Sequence, residues 1–205
     1  MSKDIVQEFY KETPFNYSED VDFFKNSIIQ SNQILEYEDL HYLLRQRKKF
    51  SLKPEINKVI EFGCGTGWLT NTMGFYYKKK VRSLDFTIKA VEIAKRVSQG
   101  LNTNAEFVTG DIFDYEDENL YDLVISLGVL HHTKDCKKAF YKASKFIKPG
   151  GYFYIGLYHL YGRRPMLNML QSHARWHGNE SAYNLFKLMN NDPLIFASKD
   201  FISYI

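Results

Sequence analysis

The feature that most constrains the fold is a short apolar run that leads directly into a glycine-rich turn. Residues 58–62 read Lys-Val-Ile-Glu-Phe, and residues 63–67 read Gly-Cys-Gly-Thr-Gly. β-Branched and aromatic residues favour a buried strand, whereas glycines allow a tight turn and a close approach of the backbone to a ligand. The segment therefore predicts a strand that ends in a turn at the edge of a sheet, followed by a helix.

Strand and helix patterns alternate along the chain beyond this turn. Further strands are predicted at residues 81–84, 106–109, 123–127 and 152–157. Between them, apolar residues recur at helical spacing, in one stripe at Ile88, Val91, Ala94 and Val97 and in another from Cys136 to Ile147. The turn Pro149-Gly150-Gly151 is predicted to end the second helix and lead into the fifth strand.

This alternation implies parallel strands joined by right-handed crossovers. The predicted fold class is α/β, a Rossmann-like doubly wound and mostly parallel sheet with helices on both faces. Residues 1–54 lack a strand pattern, and apolar positions such as Phe24, Ile28 and Leu40 fit helical faces. We therefore expect a helical N-terminal extension or lid over residues 1–54 and a main domain over residues 55–205.

Carboxylates fall at the ends of successive predicted strands. Glu61 lies two residues before the glycine turn, Asp85 closes the second strand, and Asp111 with Ile112 follows the third. Ligands of such sheets bind at the carboxyl ends of the strands. Asp85 could accept hydrogen bonds from ribose hydroxyls, and Asp111 one from an adenine amino group, with Ile112 covering the ring. The alternative for each acid is a helix cap or a solvated loop charge.

The spacing of the glycines separates this turn from a dinucleotide-binding loop. Gly63, Gly65 and Gly67 give Gly-x-Gly-x-Gly, whereas the dinucleotide pattern is Gly-x-Gly-x-x-Gly, and Trp68 stands at its third glycine. A nicotinamide oxidoreductase is therefore the weaker alternative. A tight turn without any ligand stays open.

Taken in order, these segments resemble the class I S-adenosylmethionine-dependent methyltransferases, in their type 11 and 12 branch, over roughly residues 55–158. The resemblance implies an enzyme that uses S-adenosylmethionine and releases S-adenosylhomocysteine. It also implies cofactor-binding roles along the chain. Gly63, Gly65 and Gly67 would approach the methionine part, Glu61 would orient the loop or the amino group, Asp85 would bind the ribose, Asp111 and Ile112 would bind the adenine, and the Leu127 backbone would contact the cofactor.

The methyl acceptor is predicted only by class. Residues 126–129 read Ser-Leu-Gly-Val in place of the Asn/Asp-Pro-Pro-Tyr/Phe signature of many amino-group methyltransferases of nucleic acids and proteins. Neither Cys64 nor Cys136 follows a proline, so a covalent cysteine route to cytosine methylation is not favoured. We expect a small-molecule substrate, with nucleic acid left open. A non-catalytic cofactor-binding or interaction protein with this fold is the alternative function.

No catalytic residue is assigned. His131 and His132 follow the fourth strand and could accept a proton near neutral pH, as could Tyr158 and His159 after the fifth. Structural hydrogen bonding of these side chains is the competing interpretation. Aromatic residues between Tyr10 and Tyr17 are a candidate lid over the cofactor.

Composition and charge set the remaining expectations. The formal net charge of +3 neither demands nor excludes nucleic acid, and the lysine run at 78–80 should lie at the sheet end opposite the ligand. The two cysteines lack disulfide or zinc spacing, so no metal is predicted. No apolar stretch approaches the roughly 20 residues of a membrane span. We expect a cytoplasmic protein without a membrane partner.

The C-terminal part departs from the family pattern. Helices are predicted around 165–175 and 182–189, and only residues 194–205 could supply a further strand. Either the final strand is missing or comes from another chain, or the chain is a truncation. An oligomer that pairs through this sheet edge is thus one expectation.

Overall fold

The structure is a computed structural model that describes residues 17–45, 55–157 and 160–190. The chain divides into two compact units, residues 1–157 and residues 158–205. The candidate Tyr10, and with it the segment up to residue 16, lies outside the described residues, as do Tyr158, His159 and the strand predicted at 194–205.

The first unit begins with helices α1 (Val21–Gln30) and α2 (Glu38–Leu44), separated by a 3₁₀ turn at Gln33–Glu36. Strands and helices then alternate. Their bounds are β1 Lys58–Phe62, α3 Trp68–Tyr77, β2 Lys80–Asp85, α4 Ile88–Leu101, β3 Ala105–Thr109, β4 Tyr121–Leu127, α5 Cys136–Ser144 and β5 Ile147–Gly156, with a 3₁₀ turn at Leu130–His132.

The five strands form one sheet in the order β3-β2-β1-β4-β5, and every pair is parallel. The strand order reverses between β1 and β4, which makes their carboxyl ends the switch point where such sheets open a crevice for ligands. The predicted α/β fold and the five predicted strands are confirmed. The glycine turn after β1 lies at this crevice.

Helices cover both faces of the sheet, as predicted. Val59 of β1 packs with Leu69 and Met73 of α3 and with Leu40 and Leu44 of α2. On the opposite face, the neighbouring residues Ile60 and Phe62 pack with Ala139 and Ala143 of α5. Because side chains alternate along a strand, the apolar run of β1 supplies both cores. The N-terminal helices are therefore part of the core of this unit.

Two local predictions need correction. Ile88 was expected on the buried stripe of α4, but its side chain is 62% exposed and the stripe begins at Val91. The residues Lys148–Gly151 do not precede the fifth strand. Ile147 already pairs with Tyr121, and Tyr152 pairs with Leu123, so the turn is a bulge inside β5. The helix before it ends at Ser144.

Polar contacts fix the amino end of the sheet. The Asp122 carboxylate accepts the backbone N–H groups of Asn57 and Lys58 at 2.9 and 2.8 Å, and the Lys148 ammonium at 2.7 Å. Lys80, the last residue of the lysine run, is the first residue of β2. The run therefore lies at the end opposite the crevice, as predicted.

The second unit contains two helices, α6 (Leu160–His177) and α7 (Asn179–Asn190). Leu170 of α6 and Phe186 of α7 are buried against each other, and this contact orders the pair. The two helices predicted in this region are confirmed. None of the helices in the described ranges has the length and apolarity of a membrane span.

Candidate functional site

The glycine turn folds back against the end of β2. The N–H of Gly63 donates to the carbonyl of Leu84 at 2.7 Å, and the N–H of Gly67 donates to the carbonyl of Cys64 at 2.8 Å. Gly63, Gly65 and Gly67 have φ values of +81°, +51° and +79°, which lie in the left-handed region. This conformation costs other residues about 1–2 kcal/mol, so the turn requires glycine.

The three glycines differ in what surrounds them. A Cβ on Gly63 would overlap the side chain of Val129, and one on Gly67 would lie 2.7 Å from Cβ of Ala94. These two positions are closed by packing. A Cβ on Gly65 would have no atom within 4 Å. Gly65 is thus the point of the turn where the backbone faces open space that a ligand can occupy.

Asp85 holds this open glycine in place. Its Oδ2 accepts the N–H of Gly65 at 2.8 Å, and its Oδ1 accepts the N–H of Thr87 at 2.9 Å. The residue is 9% exposed, and burial raises the pKa of its carboxyl group. The Thr87 hydroxyl and the Phe86 backbone N–H also act on this carboxylate and lower its pKa. Sequence reasoning predicted a ribose ligand and missed this anchoring role.

Glu61 lies beneath the turn in a polar network that the sequence did not reveal. Its carboxylate accepts a hydrogen bond from the hydroxyl of Thr70 on α3, and that hydroxyl also contacts the hydroxyl of Ser83 on β2. All three residues are buried. Burial, together with the charge of Asp85, raises the pKa of Glu61 to about 7. The one sequence signal of this network was Glu61 itself, an acid inside the apolar run of β1.

The structure places Asp111 and Ile112 directly after β3, beside the end of β2. The N–H of Gly110 donates to the carbonyl of Asp85 at 2.9 Å, which joins the two strand ends. Asp111 Oδ1 accepts the N–H of Phe113 at 2.9 Å, a turn-stabilising contact. Ile112 is 9% exposed and packs in the core with Leu84, so only its edge faces solvent.

The segment after β4 forms the opposite wall of the crevice. Leu127 pairs with Gly156 at the ends of β4 and β5, and the N–H of Gly128 donates to the Gly156 carbonyl at 2.9 Å. Val129 packs over Gly63, so this segment touches the glycine turn. His131 and His132 follow, with ring centroids 4.1 Å apart, and both ring nitrogens of His131 are buried.

Cys64 lies inside the glycine turn, is buried, and has a thiol pKa raised well above its ordinary value by burial and by the charges of Asp85 and Glu61. A thiolate nucleophile needs the opposite environment. Cys64 therefore lacks the environment of a nucleophilic cysteine.

The five-stranded parallel sheet and the glycine turn at its switch point define a Rossmann-like α/β protein. Residues 55–194 match the sequence profile of a family described as "Methyltransferase domain". The match covers most of the chain, and the chain belongs to this methyltransferase family.

Curated relatives include both N-methyltransferases and O-methyltransferases. Phosphoethanolamine N-methyltransferase 3 of Arabidopsis thaliana is 28% identical over 141 residues, which are 63% of this chain and 29% of that protein. The mitochondrial ubiquinone biosynthesis O-methyltransferase of Dictyostelium discoideum is 31% identical over 108 residues, or 47% of this chain and 34% of that protein. The chain thus spans less than half the length of these relatives.

Solved structures show the same fold. PKMT2 from Rickettsia typhi, in complex with AdoHcy, aligns with a TM-score of 0.56 at 23% identity and covers 74% of this chain and 33% of that one. The PH0226 protein from Pyrococcus horikoshii aligns with a TM-score of 0.55 at 20% identity and covers 81% and 71%.

Proposed function

We propose that this chain binds S-adenosylmethionine in the crevice at the carboxyl ends of β1, β2 and β3 and transfers its methyl group to a small-molecule acceptor. The observation that carries the proposal is Gly65, whose backbone faces open space while Gly63 and Gly67 on either side are closed by packing. Membership of the methyltransferase family and the names of the curated relatives support the reaction class.

Each candidate residue has a role in this proposal. The turn of Gly63, Gly65 and Gly67 offers its backbone to the methionine part, and Asp85 offers its carboxylate to the ribose hydroxyls. Asp111 and the exposed edge of Ile112 recognise adenine, and the backbone at Leu127 closes the other side. For Glu61, burial and the Thr70 contact favour orientation of the turn over direct contact with the cofactor.

The bound cofactor would supply a methyl group on a positively charged sulfur, so the protein needs to align the acceptor and exclude water. Asp85 and Asp111 place carboxyl groups beside the crevice, which favours a cationic ligand. His131 and His132 are the candidates, among the described residues, to accept a proton from the substrate.

A pair of matched glycine variants tests the cofactor site. Gly65→Asn keeps a residue that tolerates positive φ, meets no atom within 4 Å, and projects a side chain into the proposed ligand space. Gly150→Asn is the control, because Gly150 has φ +78°, is equally open, and lies in the β5 bulge at the amino end of the sheet.

Calorimetric titration with S-adenosylhomocysteine should give micromolar binding to the wild type and to Gly150→Asn. Binding to Gly65→Asn should weaken by about 30-fold or more, or roughly 2 kcal/mol. Equal binding by the two variants would contradict the assignment of the turn. A folded wild type that does not bind would favour the non-catalytic alternative.

The remaining proposals concern partners, location and the N-terminal extension. Within the described residues β5 pairs with β4 alone, which supports pairing of its free edge with another chain. Light scattering at increasing concentration tests this oligomer.

The free thiols Cys64 and Cys136 support a cytoplasmic location. The lid role of the extension would be checked by Tyr17→Ala, which should lower turnover or cofactor affinity.

A further inference from the structure

Three aromatic side chains from three different elements converge beside the glycine turn. Tyr37 separates the 3₁₀ turn from α2, Trp68 follows Gly67 as the first residue of α3, and Tyr154 lies on β5. The ring centroids of Tyr37 and Trp68 are 6.3 Å apart with planes inclined by 33°. Trp68 and Tyr154 are both partly buried against the same core cluster. None of the three rings is fully enclosed.

Strand register places this group near the crevice. Tyr154 pairs with Ile125, two residues before Leu127 at the end of β4. Ile125 and Tyr154 belong to the cluster on the α3 face of the sheet. Trp68 is adjacent to the turn that carries the proposed cofactor site. The group therefore lies where a second ligand would sit beside the cofactor.

The group also carries negative charge. Asp39 lies in the first turn of α2 and is exposed. Asp39 lies two residues after Tyr37, the N-cap of α2, which places its carboxylate on the same end of this helix as the Tyr37 ring. In agreement with this placement, burial raises the pKa of the Tyr154 hydroxyl, and the charges of Asp39 and Tyr37 raise it further. Within the described ranges, no lysine or arginine forms an ion pair with Asp39.

Aromatic faces beside a carboxylate recognise cations, because the ring face and the carboxylate both attract positive charge. The same surroundings disfavour an acceptor that presents a carboxylate or phosphate here. An ordinary packing cluster would bury its rings and would have no need of the acid.

We propose that Tyr37, Trp68 and Tyr154, together with Asp39, form an aromatic subsite that binds a cationic amine of the methyl acceptor. The proposal rests on the proposed function, since it names the acceptor class of that crevice. It narrows the small-molecule acceptor to an amine.

Tryptophan fluorescence can report on the aromatic subsite alone. The chain has two tryptophans, and Trp176 is 84% exposed on α6, so Trp176→Phe leaves Trp68 as the reporter at little structural cost. The full-length Trp176→Phe protein is titrated with choline and with 3,3-dimethylbutan-1-ol, a neutral molecule of the same shape. Choline should change the Trp68 emission at about tenfold lower concentration than the alcohol. Equal responses, or no response to either, would overturn the proposal.

Charge variants in this background separate the subsite from general acidity. Asp39→Asn should weaken choline binding about three- to tenfold and leave the alcohol unaffected, whereas Glu38→Gln, one position earlier, should change choline binding less than twofold. Tyr154→Phe keeps the ring and should retain at least half of the affinity. Equal losses for Asp39→Asn and Glu38→Gln would show a diffuse acidic surface and overturn the subsite.

S-adenosylhomocysteine is titrated into the same Trp176→Phe protein to keep the two proposals apart. Cofactor binding without discrimination between choline and the alcohol overturns the aromatic subsite and leaves the proposed function intact. If the protein prefers choline to the alcohol but does not bind S-adenosylhomocysteine, the proposed function is overturned and the aromatic subsite is supported as a cation-binding site without the cofactor.

Discussion

Replacing Asp117 by Asn should weaken the fold, because one carboxylate holds the whole loop between β3 and β4. Asp117 Oδ2 accepts Arg82 Nη1 at 2.6 Å and the hydroxyl of Tyr115 at 2.8 Å, and it also accepts the hydroxyl of Tyr121. Its Oδ1 accepts the backbone and side-chain N–H groups of Asn119 at 2.9 and 2.8 Å. Only 4% of its side chain is exposed.

The magnitude follows from what Asn can still accept. The Asn side chain has one oxygen, which can replace either Oδ1 or Oδ2 of Asp117. Its NH₂ group then faces the donors of the other oxygen and cannot accept their hydrogen bonds. Breaking a buried ion pair costs about 3–5 kcal/mol. Arg82 keeps its contact with Glu106 and is partly exposed, so we expect a smaller loss of about 2–3 kcal/mol. For a chain of this size, that loss lowers the Tm by about 4–12 °C.

Acidity should remove the difference between wild type and Asp117→Asn. Burial acts to raise the pKa of Asp117, but hydrogen bonds from Tyr121, Asn119 and Tyr115 hold it well below its ordinary value of 3.8. A carboxylate with a depressed folded pKa stabilises fully above its unfolded pKa, and this contribution is lost as the pH falls through the folded pKa.

Urea unfolding of both proteins at pH 7 and pH 3 measures this effect. The free-energy gap should be largest at pH 7 and should shrink at pH 3. Asp135→Asn is the control, because Asn caps helices as well as Asp does and Asp135 is the N-cap of α5. The reasoning would be refuted if wild type and Asp117→Asn had the same free energy of unfolding at pH 7, or if the difference between them were larger at pH 3 than at pH 7.

Two further predictions concern the crevice. In Glu61→Gln the pH dependence of stability should decrease, since the raised folded pKa of about 7 means that Glu61 favours folding most below pH 4.5 and loses that contribution as the pH rises towards 8. Urea unfolding at pH 5 and pH 8 measures this pH dependence. The same change in the free energy of unfolding between the two pH values for the wild type and for Glu61→Gln would contradict the prediction. Gly67→Ala should destabilise the chain by about 2–4 kcal/mol, because φ is +79° and Ala94 and Phe107 leave no room. Gly178→Ala, with φ +82° in open space, should cost only about 1–2 kcal/mol in thermal unfolding.

The strands were predictable because their signals are local. A run of apolar β-branched residues between polar turns fits few structures other than a strand. β1 begins and ends at the predicted residues, whereas the other strands differ from the prediction at their ends, most in β5. Ile88 was misplaced because helical spacing does not say where the first turn leaves the core. The bulge in β5 was missed because Pro-Gly-Gly is typical of a turn between elements. Only the pairing of Ile147 with Tyr121 shows that the strand has already begun.

The composition of the crevice was predictable, and the connections within it were not. Glycines and acids at strand ends are visible along the chain, but a hydrogen bond such as Gly65 to Asp85 joins residues twenty positions apart. That bond changes what a mutation at Asp85 would mean. Removing the carboxylate would release the glycine turn even if no ribose ever bound there, so loss of binding in Asp85→Ala could not separate a ligand contact from a collapsed turn. Gly65→Asn separates them, because it adds atoms to the crevice while the Asp85 contact to the backbone N–H remains. The structure therefore makes Gly65, and not the acid that holds it, the position at which to test the cofactor site.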